Sequence, residues 1–440
     1  IAIMFQQEVS LIILQSLFIY LFFRFPIFSQ KIQSIIMKNK YLTNTDLVIL
    51  NIIIFLNIFI FFSIFTIKII YFFYTYLLLL SFMFVRDFNQ KKIIISYKDV
   101  IILLITIILS LDLAYELIFG WDVQWFWYFK ALNMYLDQSF LNLKTLPVPD
   151  YPHLGPYIWG FFWKFPFNNY EYLGRIVYIF FYIIAIFSFS ETLKINNQLR
   201  FIFSLLIVLA TYKYDLFNGD PDILIFSFLL FASKFVFYIY APINRKNHLI
   251  LIIFLLGISN ILFWLKHEAI FFIIFLIISI VIFNKLINKR NKIILITSSI
   301  FLIIIKFVIL EAINYPIIDA GWYELEKTSS FSLSDFYYRT SKIIFYIFVY
   351  IIQNPIFIIT LPLMIYSIKV LKQDALNKTL LFFTLMVFIF VYFAYFFKAF
   401  EIELQIKHSM GQLLFGISGF YLIIFSNIFN SYFYNNKKNN

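Results

Sequence analysis

Long apolar runs recur along almost the whole of this chain, and each is close to the length that crosses a lipid bilayer. A transmembrane helix needs roughly 20 predominantly apolar residues. Only 13% of the residues are charged, against about a quarter in an ordinary globular domain. No stretch between the runs has the length of a typical soluble domain. The sequence therefore predicts an all-α polytopic membrane protein whose surroundings are the lipid bilayer.

The apolar runs predict about 13 transmembrane helices. Their expected positions are 11–28, 46–65, 69–85, 99–119, 171–190, 199–213, 222–240, 249–264, 268–284, 293–313, 341–370, 378–397 and 411–429. The run 341–370 contains Asn354-Pro355, and proline interrupts a helix. This run is expected to be either an interfacial helix that leads into a span or a short hairpin.

Basic residues cluster between the predicted spans, always on the same side of the membrane. Lys and Arg collect in cytoplasmic loops, so this side is expected to be cytoplasmic. The net charge of +12 is explained in this way and does not indicate a nucleic-acid partner. Most acidic residues fall on the other side, where the two long connections 112–170 and 314–340 also lie. Long loops in compact proteins are usually functional or disordered.

The first outer connection contains "GWDVQWFWYFKALNMYLDQ", which begins at Gly120. If this stretch is helical, Asp122, Lys130, Asn133 and Asp137 share an arc of about 80°. Trp and Tyr favour the headgroup level, so an amphipathic surface helix is expected. The prolines of the following "PVPDYPHLGPY" predict a stiff loop. The alternative is that the aromatic residues only anchor the helix and that Asp122 only begins it.

The order and spacing of these residues resemble the GT-C superfamily of membrane glycosyltransferases. The resemblance is to its polyprenyl-phosphate-sugar-dependent branch, related to the dolichyl-phosphate-mannose protein mannosyltransferases. The residues that match are Gly120-Trp121-Asp122, Trp125, Lys130-Ala131, Asp150-Tyr151-Pro152, Leu154 and Pro156.

Three weaker matches follow in the family's order. They are "NGDPDILIFSFLLFA" from Asn218, "LKHEAIFF" from Leu265 and "ELQIKHSMGQLLFG" from Glu403. The arginine that the family carries in the last segment is absent here, and Gln412 or a neighbour takes its position. The resemblance covers about 99–429.

The resemblance implies a division of the chain into three parts. Residues 1–98 would form extra transmembrane helices, and 430–440 a cytoplasmic tail. Residues 99–429 would form a GT-C-like catalytic domain with 112–170 as the catalytic outer loop and 314–340 as a second outer loop. The site would face the outer, periplasmic side of a bacterial inner (plasma) membrane.

The resemblance also implies the reaction, which is transfer of a sugar from a polyprenyl-phosphate carrier to a hydroxyl acceptor on a cell-envelope glycan, lipid or protein. One carboxylate then suffices as general base on the acceptor hydroxyl, and cations stabilise the leaving phosphate. Asp122 is the expected base. The expected substrate- and phosphate-binding residues are Lys130, Tyr151, His153, Arg175, Lys266, Glu268, Lys407 and His408, with Asp150, Asp220 and Asp222 as supporting acids.

A divalent metal is left open, because Asp122 with Asp220, Asp222 or Glu268 would supply hard oxygen ligands. No compact ligand spacing singles out such a site.

Each candidate also has a structural alternative. Proline at the first turn is typical of a capped helix, so Asp220 before Pro221 would cap the helix that follows. Arg175 would only reach the headgroups, and His153 would be structural. Lys266 with Glu268, and Lys407 with His408, would be ordinary polar turns.

Two other classes of function compete with the transferase. A polyprenyl-linked glycan polymerase or ligase is expected to carry several arginines in its outer loops, and this chain has few there. A glycolipid transporter or flippase is expected to show internal repeats or buried charges along a path. The main intramembrane candidates are Lys234 and Lys306, and the side chain of Lys234 can snorkel.

Overall fold

The computed structural model describes 2–25, 43–65, 69–89, 96–117, 119–167, 170–213, 216–241, 245–316, 332–370, 374–397 and 402–429. Every regular element within these ranges is helical, and they contain no strand. The predicted all-α class is confirmed. The predicted tail 430–440 and the part 317–331 of the second outer loop lie outside the described residues.

Seventeen α-helices are described. They are α1 Ala2–Arg24, α2 Asn44–Ile64, α3 Ile69–Asn89, α4 Tyr97–Glu116, α5 Tyr128–Tyr135, α6 Leu154–Lys164, α7 Tyr172–Ser190, α8 Asn197–Thr211, α9 Asp222–Ile239, α10 Arg245–Leu265, α11 His267–Phe283, α12 Lys289–Ala312, α13 Leu333–Gln353, α14 Pro355–Val370, α15 Ala375–Phe396, α16 Ile402–Gln405 and α17 Gly411–Tyr421. A π-turn, Val123–Trp127, leads into α5, a 3-10 turn covers Phe140–Thr145, and a second π-turn, Ile406–Met410, joins α16 to α17.

Eight helical stretches within the described residues are long and apolar enough to cross a membrane. They are Thr45–Ile64, Ile69–Arg86, Tyr172–Ser190, Asp222–Ile239, His248–Leu265, Lys289–Ala312, Ala375–Phe396 and Gly411–Phe429. The chain is therefore an integral membrane protein with eight or more candidate spans. Helices α8 and α11 are apolar but shorter, and α4 carries Lys98, Asp99 and Asp112.

The predicted interruption of the run 341–370 is confirmed. Helix α13 ends at Gln353, α14 begins at Pro355, and the two axes meet at 99°. Asn354 between them is extended, with φ −97° and ψ 109°. The residue before a proline is pushed out of the helical region, which is why the break falls here.

Side-chain caps fix where several helices begin. Ser96 before α4 accepts a hydrogen bond from the Asp99 amide, and the Asp99 carboxylate accepts one from the Ser96 amide at 2.8 Å. Ser332 and Asp335 form the same reciprocal pair at the start of α13. Each pair satisfies two backbone amides that a helix end leaves without partners.

The described chain divides into two compact units. Unit one comprises 1–188 and 213–224, and unit two comprises 189–212 and 225–440. In unit one, phenylalanine rings fill the core edge to face, as between Phe22 and Phe55 at 5.1 Å. Gln15 of α1 donates to the carbonyl oxygen of Phe162 in α6 at 2.8 Å. The N-terminal helices thus pack directly on the segment that follows the proline-rich loop.

Candidate functional site

Asp122 lies in the first turn of a helical stretch that runs without interruption through the first π-turn into α5. Its backbone is helical, with φ −60° and ψ −32°, and its side chain makes no capping hydrogen bond. The carboxylate is half-buried, beside the exposed ring of Trp121. This position agrees both with the predicted base and with the alternative in which Asp122 only begins the helix.

Two members of the predicted polar arc of this helix are turned into the protein. Lys130 is fully buried and Asn133 is 3% exposed, whereas Trp121, Trp125 and Phe129 are exposed. Of the other members of the predicted polar arc, Asp122 is half-exposed and Asp137 is exposed. A π-turn adds a residue to one helical turn and so rotates the residues that follow, and the interior supplies partners for the polar groups. The exposed stripe is aromatic, as a helix at the lipid boundary requires.

Lys130 holds the proline-rich loop in place. Its ammonium donates to the carbonyl oxygens of Val148 at 2.9 Å, Pro149 at 3.4 Å and Tyr151 at 2.6 Å. Burial lowers the pKa of Lys130 to about 7, against the opposing effect of the Asp150 carboxylate. An ammonium has three hydrogens to donate, and three carbonyl oxygens accept them. The structure thus places Lys130 as the anchor of the loop that contains Asp150 and Tyr151.

The other two loop residues among the candidates are packed beside this anchor. Asp150 is 4% exposed. The Tyr151 ring is half-buried and stands edge to face against Trp127 at 5.5 Å.

His153 is buried among aromatic rings at the start of α6. Its ring stands edge to face against Phe140 at 4.6 Å and against Tyr157 at 4.8 Å. Its Nε2 atom lies 3.2 Å from the hydroxyl of Ser63 in α2. These contacts favour the structural role over the substrate-binding role.

Arg175 is fully buried and forms a charge pair with a residue that sequence reasoning missed, Glu171. Its Nε atom lies 2.8 Å from Glu171 Oε1, and a second guanidinium nitrogen donates to Oε2 at 3.2 Å. The guanidinium also stacks on Phe119 at 4.9 Å and on Trp159 at 5.8 Å. Burial raises the pKa of Glu171, and Arg175 acts in the opposite direction. Arg175 does not snorkel. The i, i+4 spacing was the available signal for this pair.

Asp220 and Asp222 lie in a buried turn that packs against the start of the Asp122 helix. A third nitrogen of Arg175 donates to the carbonyl oxygen of Phe217 at 3.0 Å. Asp220 is 7% exposed and Asp222 is 4% exposed. The Asp220 amide donates to the Asn218 side chain at 2.9 Å, and α9 begins at Asp222.

Glycines allow the segments of unit one to approach closely. A Cβ atom on Gly120 would lie 2.6 Å from the Asn218 amide nitrogen, and one on Gly155 would lie 2.9 Å from Pro221. Gly219 has φ +102°, and a Cβ atom added to it would lie 2.9 Å from a Val123 methyl group. Left-handed backbone of this kind favours glycine. The "GWD", "PDYPHLGP" and "NGDPD" segments are therefore brought together in unit one.

Lys266 and Glu268 lie in unit two, at the tight turn between α10 and α11. Lys266 is 9% exposed, and its extended backbone, with φ −152°, precedes α11. Glu268 is half-buried in the first turn of α11 and interacts with the ammonium of Lys306. Lys306 in α12 donates to the carbonyl oxygen of Phe263 at 2.7 Å and lies 5.6 Å from the Trp264 ring. A buried cation from a third helix thus holds this turn.

Lys407 and His408 lie in the second π-turn, Ile406–Met410, which belongs to unit two. Lys407 is exposed, and its carbonyl oxygen accepts a hydrogen bond from the Tyr350 hydroxyl at 3.2 Å. The side chain of His408 lies outside the described residues. Sequence reasoning missed the neighbouring pair, in which Lys342 of α13 contacts Glu403 at 2.8 Å. This hydrogen bond from Lys342 lowers the pKa of Glu403.

Lys234 has a side chain long enough to snorkel, but it does not do so. Its ammonium is fully buried and pairs with Glu191 of the same unit at 3.0 Å. A buried partner makes snorkelling unnecessary, because it compensates the charge inside the protein.

Among the described residues, no group of three or more His, Asp or Glu side chains gathers closely enough to hold a metal ion. No family model, curated protein or solved structure matches this chain.

Proposed function

We propose that this protein is a GT-C-like glycosyltransferase of about 13 transmembrane helices. It transfers a sugar from a polyprenyl-phosphate carrier to a hydroxyl acceptor. The observation that carries the proposal is the convergence, in unit one, of three segments that resemble this class. Gly120 lies against the Asn218 side chain and Gly155 lies against Pro221, and a Cβ atom added at these glycines would approach them to 2.6 Å and 2.9 Å.

The position of Asp122 suits a general base. Asp122 is half-exposed and lies in the first turn of a helical stretch. In the reaction, Asp122 removes the proton of the acceptor hydroxyl as the acceptor oxygen bonds to the anomeric carbon. The bond from that carbon to the carrier phosphate breaks, and polyprenyl phosphate leaves with the electron pair. The exposed Trp121 and Trp125 place this carboxylate near the lipid boundary, where such a carrier lies.

The π-turns add a second line of support. Among the described residues there are two, Val123–Trp127 and Ile406–Met410. The first follows Asp122 directly, and the second contains Lys407 and His408. Such turns occur frequently at functional sites, because they displace side chains from the regular helical positions.

The other candidate site residues have different roles in this proposal. Lys130, His153 and Arg175 are packed against protein groups, so we assign them positioning roles. Lys407 belongs to unit two and is exposed, and its predicted contact with the carrier phosphate stays a prediction. We place the site on the outer face of a bacterial inner membrane, because basic residues predominate in the loops of the opposite face.

The test is transfer from a radiolabelled polyprenyl-phosphate hexose, with a pentose donor as a second probe, in membranes that contain the full chain. Wild type is compared with Asp122→Asn. Loss of a general base typically costs 10²- to 10⁴-fold, so we expect a fall of about 100-fold or more. Transfer at an undiminished rate in this variant would show that Asp122 is not the base.

Asp137→Asn is the matched control. It removes the same charge from the end of the same helical stretch. Asp137 has φ +54°, a conformation that asparagine tolerates well, and its partner is Lys164, not a candidate residue. Its activity should stay within about twofold of wild type. Movement of the labelled lipid across the membrane with its sugar still attached would indicate a flippase instead.

A further inference from the structure

Helices α15 and α17 show where one end of unit two lies. The Tyr395 hydroxyl bonds to the Ser409 hydroxyl at 2.8 Å, and the rings of Phe383 and Phe420 lie 4.8 Å apart. The lower residue number in α15 thus pairs with the higher number in α17. The two helices therefore run antiparallel. Phe396, at the end of α15, therefore lies at the same end of unit two as the π-turn Ile406–Met410.

Residues from both halves of α13 contact the end of unit two at which Phe396 lies. Arg339 donates to the carbonyl oxygen of Phe396 at 3.1 Å, and the Phe336 and Phe396 rings lie 5.4 Å apart. Tyr350 donates to the carbonyl oxygen of Lys407 at 3.2 Å. From 336 to 350 the helix advances about 21 Å. A helix parallel to α15 would spread its contacts over that length of α15, so α13 instead lies across the ends of α15 and α17.

The break at Asn354 agrees with this placement. Beyond it, α14 turns by 99° and runs along α15, since Ser367 bonds to Asn377 at 3.1 Å. Helix α15 is long and apolar enough to span. If α15 crosses the bilayer, α13 is close to parallel with the membrane surface.

The two faces of α13 differ in the way that a bilayer surface requires. Tyr337, Ile344 and Phe348 are about 60% exposed and share an arc of about 40° at 100° per residue. Arg339 and Lys342 lie on the opposite side, bonded to α15 and to Glu403. The helix thus presents large apolar and aromatic side chains outward and turns its cations towards the protein.

We infer that α13 is an interfacial helix, whose exposed face is embedded at the headgroup boundary of one leaflet. The occupant of this face is lipid, since a row of Tyr, Ile and Phe next to spanning helices suits that boundary. Arg339 at the end of α15 also compensates the negative end of that helix. The placement goes beyond the proposed transferase function and does not depend on it. It locates Lys342 and Lys407, on either side of Glu403, at the depth of the lipid phosphates.

The chain contains no cysteine, so single nitroxide labels can be placed without background. The variants are Tyr337→Cys, Ile344→Cys and Phe348→Cys, in full-length protein reconstituted into vesicles of phosphatidylcholine and phosphatidylglycerol. Depth is measured from collisions with oxygen and with a water-soluble nickel chelate. The matched control repeats the same spacing on the exposed side of the spanning helix α12, with Thr297→Cys, Ile304→Cys and Val308→Cys.

The control series should change in depth by about 16 Å, at 1.5 Å per residue over 11 residues. The α13 series should agree to within about 4 Å, at the headgroup boundary, because the three labels share one face of a flat helix. A progressive change like that of α12 would overturn the inference, since α13 would then span. Full accessibility to the nickel chelate, or protection from both reagents, would also overturn it. These outcomes would leave the transferase assay with Asp122→Asn unaffected.

Discussion

The buried pair of Arg175 and Glu171 offers the most stringent stability test. Arg175→Met keeps most of the side-chain length and removes the charge. In wild type, the guanidinium makes two contacts to Glu171, at 2.8 and 3.2 Å, and one to the Phe217 carbonyl oxygen at 3.0 Å. Arg175 is fully buried, and the Glu171 side chain is 17% exposed. The variant therefore leaves a nearly buried carboxylate without its cation.

Removing one partner of a buried ion pair typically costs about 3–5 kcal/mol. The Phe217 carbonyl oxygen loses a donor as well, but the two losses share one site and should not simply add. We expect Arg175→Met to lose about 3–5 kcal/mol of unfolding free energy. The double variant Arg175→Met with Glu171→Gln removes the uncompensated charge, so it should recover about 1–3 kcal/mol relative to the single variant.

The assay is thermal unfolding in detergent micelles, followed by circular dichroism, for wild type, both single variants and the double variant. Burial raises the pKa of Glu171, and the loss of Arg175 removes the main opposing effect. A carboxyl group whose folded pKa is raised favours folding when protonated. The defect of Arg175→Met should therefore shrink as the pH falls towards the ordinary glutamate value of about 4.3. Equal stability losses in the single and double variants, at every pH, would refute the argument.

Two further predictions concern unit one. Because burial lowers the pKa of Lys130 to about 7, the folded state binds fewer protons than the unfolded state from about pH 7 to about pH 10.4. Unfolding free energy should rise with pH across that window, and pH-dependent unfolding of Lys130→Met should lack this rise. Gly160→Ala would place a Cβ atom 2.3 Å from the Ala131 carbonyl oxygen. Overpacking should destabilise by about 1–3 kcal/mol, although alanine usually favours a helix by about 1 kcal/mol. A raised unfolding temperature for Gly160→Ala would contradict this account.

The local pattern of hydrophobic residues was enough to predict the positions of most helices. Each predicted span coincides with helix in the described residues, because hydrophobicity over about 20 residues is a local property. The break at Asn354-Pro355 was also predictable, since proline restricts the residue before it. The count of about 13 spans stays a prediction, because eight described stretches meet the requirements of length and apolarity on their own.

The side-chain environments were less predictable. An ideal helical wheel placed Lys130 on a polar arc with Asp122, and the structure buries it under three carbonyl oxygens. Those oxygens come from a loop about 20 residues later, and no helical period contains that information. The buried environment of Lys234 could not be predicted for the same reason, since its partner Glu191 lies 43 positions away.

The sequence by itself determined that this is an α-helical membrane protein, where most of its described helices run, and which aspartate begins the aromatic stretch after Gly120. Tertiary structure alone decided that three distant segments meet at Gly120, Gly155 and Gly219, and that buried cations hold their loops. The physical reason is that the two properties depend on interactions over different distances along the sequence. Bilayer crossing depends on the composition of one segment, whereas a buried charge is tolerated only where other segments supply its partners.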